Sequence, residues 1–518
     1  MSWESELEEL HHRRELALRM GGEERVARQH AEGKKTVRER IHLLLDPGSF
    51  HEIGTISGKA RYEDGRVADF SPANFIFGTG TIEGRRIVVA GDDFTVRGGS
   101  AEASKHTKQV ASEQLARDLR VPIVRLVDGS GGGGSVRGFG DDAGYNRIPA
   151  IITWGEAVAA MGEIPVVAAA LGSVAGLGAA KVAASHFSVM VKGSSQVLIA
   201  GPPLVRYATH EDVDKEALGG SHVHTRNGVV DNEVETEEAA IAEIHRFLSY
   251  VPQNAWMPPP VVPSDDDPRR REEALLSLIP RERRRVYKVR TLIELVVDKE
   301  SFFEKGRYWG RSLVTGLARA DGYPVGVVAN DPMQTGGALT ADGARKLEAF
   351  VDFCDTFHFP VVNFLDQPGF AIGTTAEKEA TIRAGVKMMA ALQQSTIPWI
   401  TFVIRRVYGV AGAAHRRFDR FSPRYAWPSG AWGSLPLEGG IEAAYRRQLD
   451  AAEDAEKLRA ELVEKHAAQA SPFRSAEAFD IEEIIDPRDT RPIVCEWVRD
   501  AYAASATRLG PKMRGMRP

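Results

Sequence analysis

The chain has 518 residues, 43% of them apolar and 26% charged, which is enough to build more than one globular core. A formal net charge of −5 gives no field that would gather nucleic acid. Its two cysteines, Cys354 and Cys495, exclude a disulfide framework or a four-cysteine zinc site and fit a reducing cytosol.

The first residues, with Glu4, Glu6, Glu8 and Glu9, form no apolar leader, so no secretory signal is expected. Thr107 to Leu119 has helical spacing, with Val110, Leu115 and Leu119 as its apolar positions. Val121 to Val127 is a short apolar run of the buried-strand type, closed by Asp128 and a glycine loop, Gly129 to Gly134. Ile164 to Ala184 is the one run that imitates a membrane span. Its Pro165, its glycines, Lys181 and its wealth of alanine predict a buried strand followed by a closely packed helix start. His222 and His224 follow Gly219-Gly220 and are expected to be structural. Residues 256–286 carry Pro258-Pro259-Pro260, an aspartate run and Arg269-Arg270-Arg271, the composition of a linker. Beyond it, Ala344 to Phe353 reads as helix and Val361 to Leu365 as strand, and Ile441 to Ala470 as one long surface helix.

Many landmarks occur twice in the same order. Val88-Val89-Ala90-Gly91-Asp92 is answered by Val327-Val328-Ala329-Asn330-Asp331, and Gly98-Gly99 by Gly336-Gly337. Val121-Pro122 is answered by Phe359-Pro360, Asp128 by Asp366, Ile164-Pro165 by Ile397-Pro398, and Ala175-Gly176 by Tyr408-Gly409. A period this long implies two homologous domains, and the alternation of strand and helix within each implies an α/β fold. The boundaries expected are 1–255 for the first domain, 256–286 for the linker and 287–518 for the second.

Three glycine-rich loops follow predicted strands: Asp128 to Gly134, Gly172 to Ala180, and Tyr408 to Ala414. Small residues between a strand and a helix leave backbone N–H groups free in the first helical turn. Two such donors can hold an oxyanion, and loss of one typically costs roughly 2.7–4 kcal/mol of barrier. None of the loops is a phosphate loop, no G-x-S-x-G elbow is present, and no H-E-x-x-H or cysteine cluster suggests a metal. No acidic couple stands out. A reaction that uses oxyanion holes without a protein base suits these residues.

Further segments carry a family resemblance over nearly the whole chain. They are Lys35-Thr36-Val37-Arg38-Glu39-Arg40-Ile41 with Asp46-Pro47-Gly48-Ser49-Phe50, and Asp93-Phe94-Thr95-Val96 with Gly98-Gly99. Val328 to Gln334, Asp366-Gln367-Pro368-Gly369-Phe370, Arg405 to Ala411, Tyr425-Ala426-Trp427-Pro428 and Asp486 to Arg491 follow in order. Together they resemble the carboxyltransferase β subunits of propionyl-CoA, acetyl-CoA and methylcrotonyl-CoA carboxylases, whose related decarboxylase subunits share the fold. The resemblance implies two tandem crotonase-like domains and transfer of CO2 from carboxybiotin to the α-carbon of an acyl-CoA. It implies a first hole made by the amides of Gly176 and Leu177, which holds the thioester carbonyl. A second hole, from Val410 and Ala411, holds the ureido oxygen of biotin. It also implies CoA contacts at Gly131, Gly132, Ala175 and Gly178, and biotin contacts at Tyr408, Gly409, Gly369 and Phe370. Ala413 falls where many members shape the acyl pocket. The usual A-G-G-A is Ala175-Gly176-Leu177-Gly178 here, and the usual G-G-A-Y-D is Gly409-Val410-Ala411-Gly412-Ala413.

The same resemblance implies a homo-oligomer, usually a hexamer, with each active site shared between copies, in the cytoplasm. Biotin is expected on a partner, since Val386-Lys387-Met388 only superficially resembles a biotinylation sequence and lies in a predicted helix. The partners implied are a biotin carboxylase and a biotin carboxyl carrier, with neither nucleic acid nor membrane. Three other readings stay open: a biotin-dependent decarboxylase subunit, a crotonase-type hydratase or isomerase, and a non-catalytic assembly subunit. The acyl group stays open as well.

Overall fold

The computed structural model describes residues 2–100, 105–129, 151, 153–282, 285–415, 421–467 and 471–513. The chain divides into two compact units, Met1–Met257 with Gly510–Pro518, and Pro258–Leu509.

The first unit is built on seven strands: β1 (His51–Glu52), β2 (Phe75–Ile82), β3 (Arg85–Asp92), β4 (Ile123–Val127), β5 (Val166–Ala170), β6 (Phe187–Val191) and β7 (Asn232–Val234). They lie side by side in chain order. The first two pairings are antiparallel and the rest parallel. Strands β4, β5 and β6 are buried along their whole length, which is why their sequences are continuous apolar runs and not alternating ones. The run that imitates a membrane span divides into β5, a short strand Ser173–Ala175 and the helix Leu177–Ala183. No helix among the described residues is long and apolar enough to cross a membrane.

The second unit repeats this plan with β8 (Phe303–Glu304), β9 (Leu313–Ala320), β10 (Tyr323–Asn330), β11 (Val361–Gln367), β12 (Trp399–Tyr408), β13 (Arg424–Ala426) and β14 (Glu483–Ile484). These also lie in chain order, two antiparallel pairings followed by parallel ones, with a short strand Ala431–Gly433 beside the end of β12. Its core gathers Val327, Phe364, Phe402, Trp427 and Val498.

The register of the repeat differs by one residue from the sequence reading at one landmark. Phe75 pairs with Asp92 in the first unit, and Leu313 with Asn330 in the second. Asp92 and Asn330 each accept from the backbone of the next strand, at Asp128 and Asp366 respectively. The structural counterpart of Asp92 is therefore Asn330, and that of Asp93 is Asp331. A run of valines allowed either register, and the hydrogen bonds select one.

Three further expectations change. Residues 258–282 fold onto the second unit: Arg270 is held by Asp266 at 2.9 Å and donates to the carbonyls of Leu295 and Val297, and Leu275 is in the core. The charges that suggest a linker are there matched by partners. The helix His106–Leu119 buries Lys108, Ser112, Glu113 and Ala116, leaving Val110 and Leu115 only half-buried. Residues 437–467 form three helices, Leu437–Ala444, Arg446–Ala451 and Ala455–Ala467, that fold back around Ile441, Leu449 and Leu462.

Candidate active site

Each unit carries a buried aspartate at or next to the end of its second parallel strand. Asp128, wholly buried after β4, receives Lys34 at 3.0 Å and Arg40 at 2.7 Å. Arg40 also pairs with Glu237 at 2.6 Å and donates to the Leu171 carbonyl at 2.9 Å. Asp366, in β11, receives Arg405 at 2.9 Å, Arg406 at 2.7 Å and the Tyr287 hydroxyl at 3.2 Å. Burial beside Asp366 lifts the Tyr287 phenol well above its usual range, so it stays a donor. These clusters pin the strand ends from which the glycine loops leave. Gly172 is obligatory in the first, because a Cβ there would lie 1.9 Å from the Asp128 carboxylate.

In the first unit the chain passes from Ser173–Ala175 through Gly176 into the helix Leu177–Ala183. Gly176 sits at φ 60°, a conformation that side chains resist. Its N–H donates to the Leu198 carbonyl at 3.1 Å, so it is not available to a ligand. The first-turn donors without a helical acceptor begin with the next two, Leu177 and Gly178, since the first helical bond runs from Ala180 to Gly176. Of the two amides expected in the first hole, that of Gly176 is thus engaged within the fold, while Leu177 stands in the first turn. Ala175 pairs with Leu198, and Gly178 is buried against the Gly129 carbonyl, which a Cβ would approach to 3.1 Å. Gly131 and Gly132 lie outside the described residues.

The second unit repeats the turn. Strand β12 ends at Tyr408, Gly409 stands at φ 63°, and the helix Gly409–Ala413 begins. Val410 and Ala411 occupy its first turn, the positions that correspond to Leu177 and Gly178. Val410 is exposed and Ala411 buried. Gly369, at φ 121°, lies beside the Tyr408 carbonyl. Tyr408, Gly409 and Gly369 are therefore together. The Phe370 ring turns instead onto Gly385 of the helix Thr381–Gln394, where a Cβ would clash with it. Ala413 is exposed at the end of its helix. A broad cleft opens beside Tyr408, with Pro368, Arg406 and Trp427 on its walls.

His224 places Nε2 2.6 Å from the Val197 carbonyl and has a structural role, as expected. Lys387 lies within the helix Thr381–Gln394. Sequence reasoning missed a group of charged residues around Leu177 and Gly178: Asp92, Glu113, Arg125 and Lys181 line a small cavity there. Burial pushes the Asp92 carboxyl up to about 6 and the Lys181 ammonium down. No spacing signal joins them, since they come from four separate elements.

Residues 28–516 match the carboxyl transferase domain family. The propionyl-CoA carboxylase carboxyltransferase subunit of Haloferax mediterranei is 34% identical over 503 residues, 95% of either chain. The methylmalonyl-CoA carboxyltransferase 12S subunit of Propionibacterium freudenreichii subsp. shermanii is 34% identical, covering 94% of this chain and 92% of its own. A solved transcarboxylase 12S hexamer with methylmalonyl-CoA bound matches 100% of this chain and 97% of its own, with a TM-score of 0.86 and 32% identity. With the duplicated sheet and its paired turns, this extent of likeness settles the family: the chain belongs to the carboxyl transferases, as a carboxyltransferase subunit of a biotin-dependent acyl-CoA carboxylase built on two tandem crotonase-like domains.

Proposed function

We propose that the two strand-to-helix turns are the two oxyanion holes of the transfer reaction. The Leu177 and Gly178 amides receive the thioester oxygen of an acyl-CoA as it takes on charge. The Val410 and Ala411 amides receive the ureido oxygen of biotin. Donors held in place by the fold stabilise charge that exists only during reaction, which is where binding energy accelerates it. The residues fit biotin: two first-turn amides suit its carbonyl, and Tyr408 with Pro368 and Trp427 offers a walled cleft for its rings. Carboxybiotin, brought by a carrier protein charged by a biotin carboxylase, supplies the CO2 and the base that takes the α-proton. That division suits a chain whose first hole needs only to bind and orient. Gly369 and the Tyr408 backbone line the approach on the biotin side, and Ala175 the approach on the CoA side.

The observation that carries this reading is the match of the two turns. Gly176 and Gly409, at φ 60° and 63°, each lead into a first turn with two amides at equivalent places in a duplicated fold. The transcarboxylase 12S relative is a hexamer. We place this chain in the same kind of homo-oligomer, in the cytoplasm, with the first half of one copy and the second half of another sharing each active site.

The amides can be tested directly, because proline removes an N–H yet is tolerated in a first helical turn. Leu177→Pro and Val410→Pro are each expected to lower kcat of the reconstituted carboxylase by about 10²–10³-fold. Melting temperature and oligomeric state should stay within a few degrees and one species. Variants that keep wild-type kcat would remove both holes from the mechanism.

A further inference from the structure

Four charged side chains from separate elements meet in the cavity beside the Leu177 and Gly178 amides: Asp92 from β3, Glu113 from the helix His106–Leu119, Arg125 from β4 and Lys181 from the helix Leu177–Ala183. It has room for about three water molecules, which matches the end of a short acyl chain. Two of the four satisfy each other. Arg125 makes a two-pronged pair with Glu113, both contacts at 2.9 Å, and donates to the carbonyls of Lys181 at 3.1 Å and Ala184 at 2.7 Å.

The other two are left open. Lys181 is 9% exposed, and among the described residues no carboxylate or carbonyl lies within bonding distance of its ammonium. The Glu113 and Asp92 carboxylates attract it from beyond bonding distance, and the Phe75 ring lies 6.0 Å away. Asp92 uses one carboxylate oxygen to accept from the Asp128 amide at 3.2 Å, and the second has no partner among the described residues. Lys181 stands one helical turn beyond Leu177 and on the same face, so the ammonium and the two amides address one space. A buried ammonium without an acceptor is costly, and an alkyl chain pressed against it strips its remaining water. An oxygen on the incoming chain replaces that water.

We propose that this cavity receives the acyl chain and selects a CoA thioester whose acyl group carries a hydrogen-bonding oxygen, which Lys181 and Asp92 engage. The inference rests on the reading that Leu177 and Gly178 hold the thioester oxygen. Hydroxyl, oxo and carboxylate groups share the required chemistry. A site that hydrogen-bonds a substrate oxygen discriminates against the analogue lacking it far more strongly than an apolar pocket discriminates one methylene.

The test is calorimetric binding to the purified oligomer, without biotin, of four thioesters of equal chain length: butyryl-, 3-hydroxybutyryl-, 3-oxobutyryl- and succinyl-CoA, with free CoA as reference. At least one oxygen-bearing ester is expected to bind about tenfold or more tighter than butyryl-CoA. Lys181→Met is expected to abolish that preference while keeping the melting temperature, and Lys181→Arg to retain part of it. Preference for succinyl-CoA assigns a carboxylate, and preference for the hydroxy or oxo ester assigns a neutral oxygen. Butyryl-CoA binding as tightly as the other three, or a preference that survives Lys181→Met, overturns the inference and leaves the first hole standing. Thioesters that bind no better than free CoA overturn both. The wild-type comparison decides the matter even if Lys181→Met fails to fold.

Discussion

Asp92 shows how one residue links stability to the chemistry of the cavity. Burial holds its carboxyl at about 6 in the folded chain, above the ordinary value of 3.8. Between those values the folded chain binds more protons than the unfolded one, so this contribution is present at low pH and is lost as pH rises through 6. Asp92→Asn removes the penalty: the variant is expected to be more stable than wild type by about 1–3 kcal/mol at pH 7.5, with the gap closing towards pH 4. Urea unfolding at the two pH values checks this, and an equal gap at both would refute it. At this scale the sequence was only partly legible. Val410 and Ala411 lie in a first turn, but Gly176 turns its N–H to Leu198, and the proposed pair takes Gly178 instead. Nothing local to Gly176 signals that bond, which depends on a strand more than twenty residues on. The register of the repeat does signal it: Val410 and Ala411 correspond to Leu177 and Gly178. Lys181 entered the sequence reading only as a charge unsuited to a membrane span, because its cavity neighbours are dispersed over some ninety residues of chain.

At the level of elements, buried ion pairs tie helices to strand ends. The short helix Val37–Leu44 opens with a full capping box, Thr36 and Glu39, and delivers Arg40 into the core. There Arg40 bridges Asp128, Glu237 and the Leu171 carbonyl. Replacing it with methionine leaves the buried Glu237 without its ion pair and Asp128 with Lys34 alone. Arg40→Met is expected to destabilise the first unit by about 3–5 kcal/mol in chemical denaturation, and a loss under 1 kcal/mol would show that the cluster is not structural. Continuous apolar runs announced the parallel strands, because a strand buried on both faces has no alternation to hide. The helix His106–Leu119 was misleading for the same kind of reason. It buries Lys108, Ser112 and Glu113, and Glu113 pairs with Arg125, which periodicity of apolar residues cannot register. The segment 437–467 has helical spacing throughout, yet breaks twice so that Ile441, Leu449 and Leu462 can share one small core.

Across the whole molecule the duplication organises everything else, and it extends further than the sequence landmarks first suggest. Asp46, Ser49 and Phe50 correspond to Asp298, Ser301 and Phe302. Asp46 accepts from the amides of Glu83 and Gly84, and Asp298 from those of Asp321 and Gly322. The hairpin Gly58–Glu63 with Arg66–Pro72 is inserted only in the first copy and shifts the offset, which concealed this match. Two copies of one turn, kept in both halves, are what a reaction with two developing oxyanions needs. The most direct test supplies labelled bicarbonate and ATP to the chain reconstituted with a biotin carboxylase and a biotinylated carrier, together with a panel of acyl-CoA esters. Acid-stable label is expected in at least one CoA ester, only when this chain is present. Label that accumulates on the carrier and passes to no thioester would contradict the account.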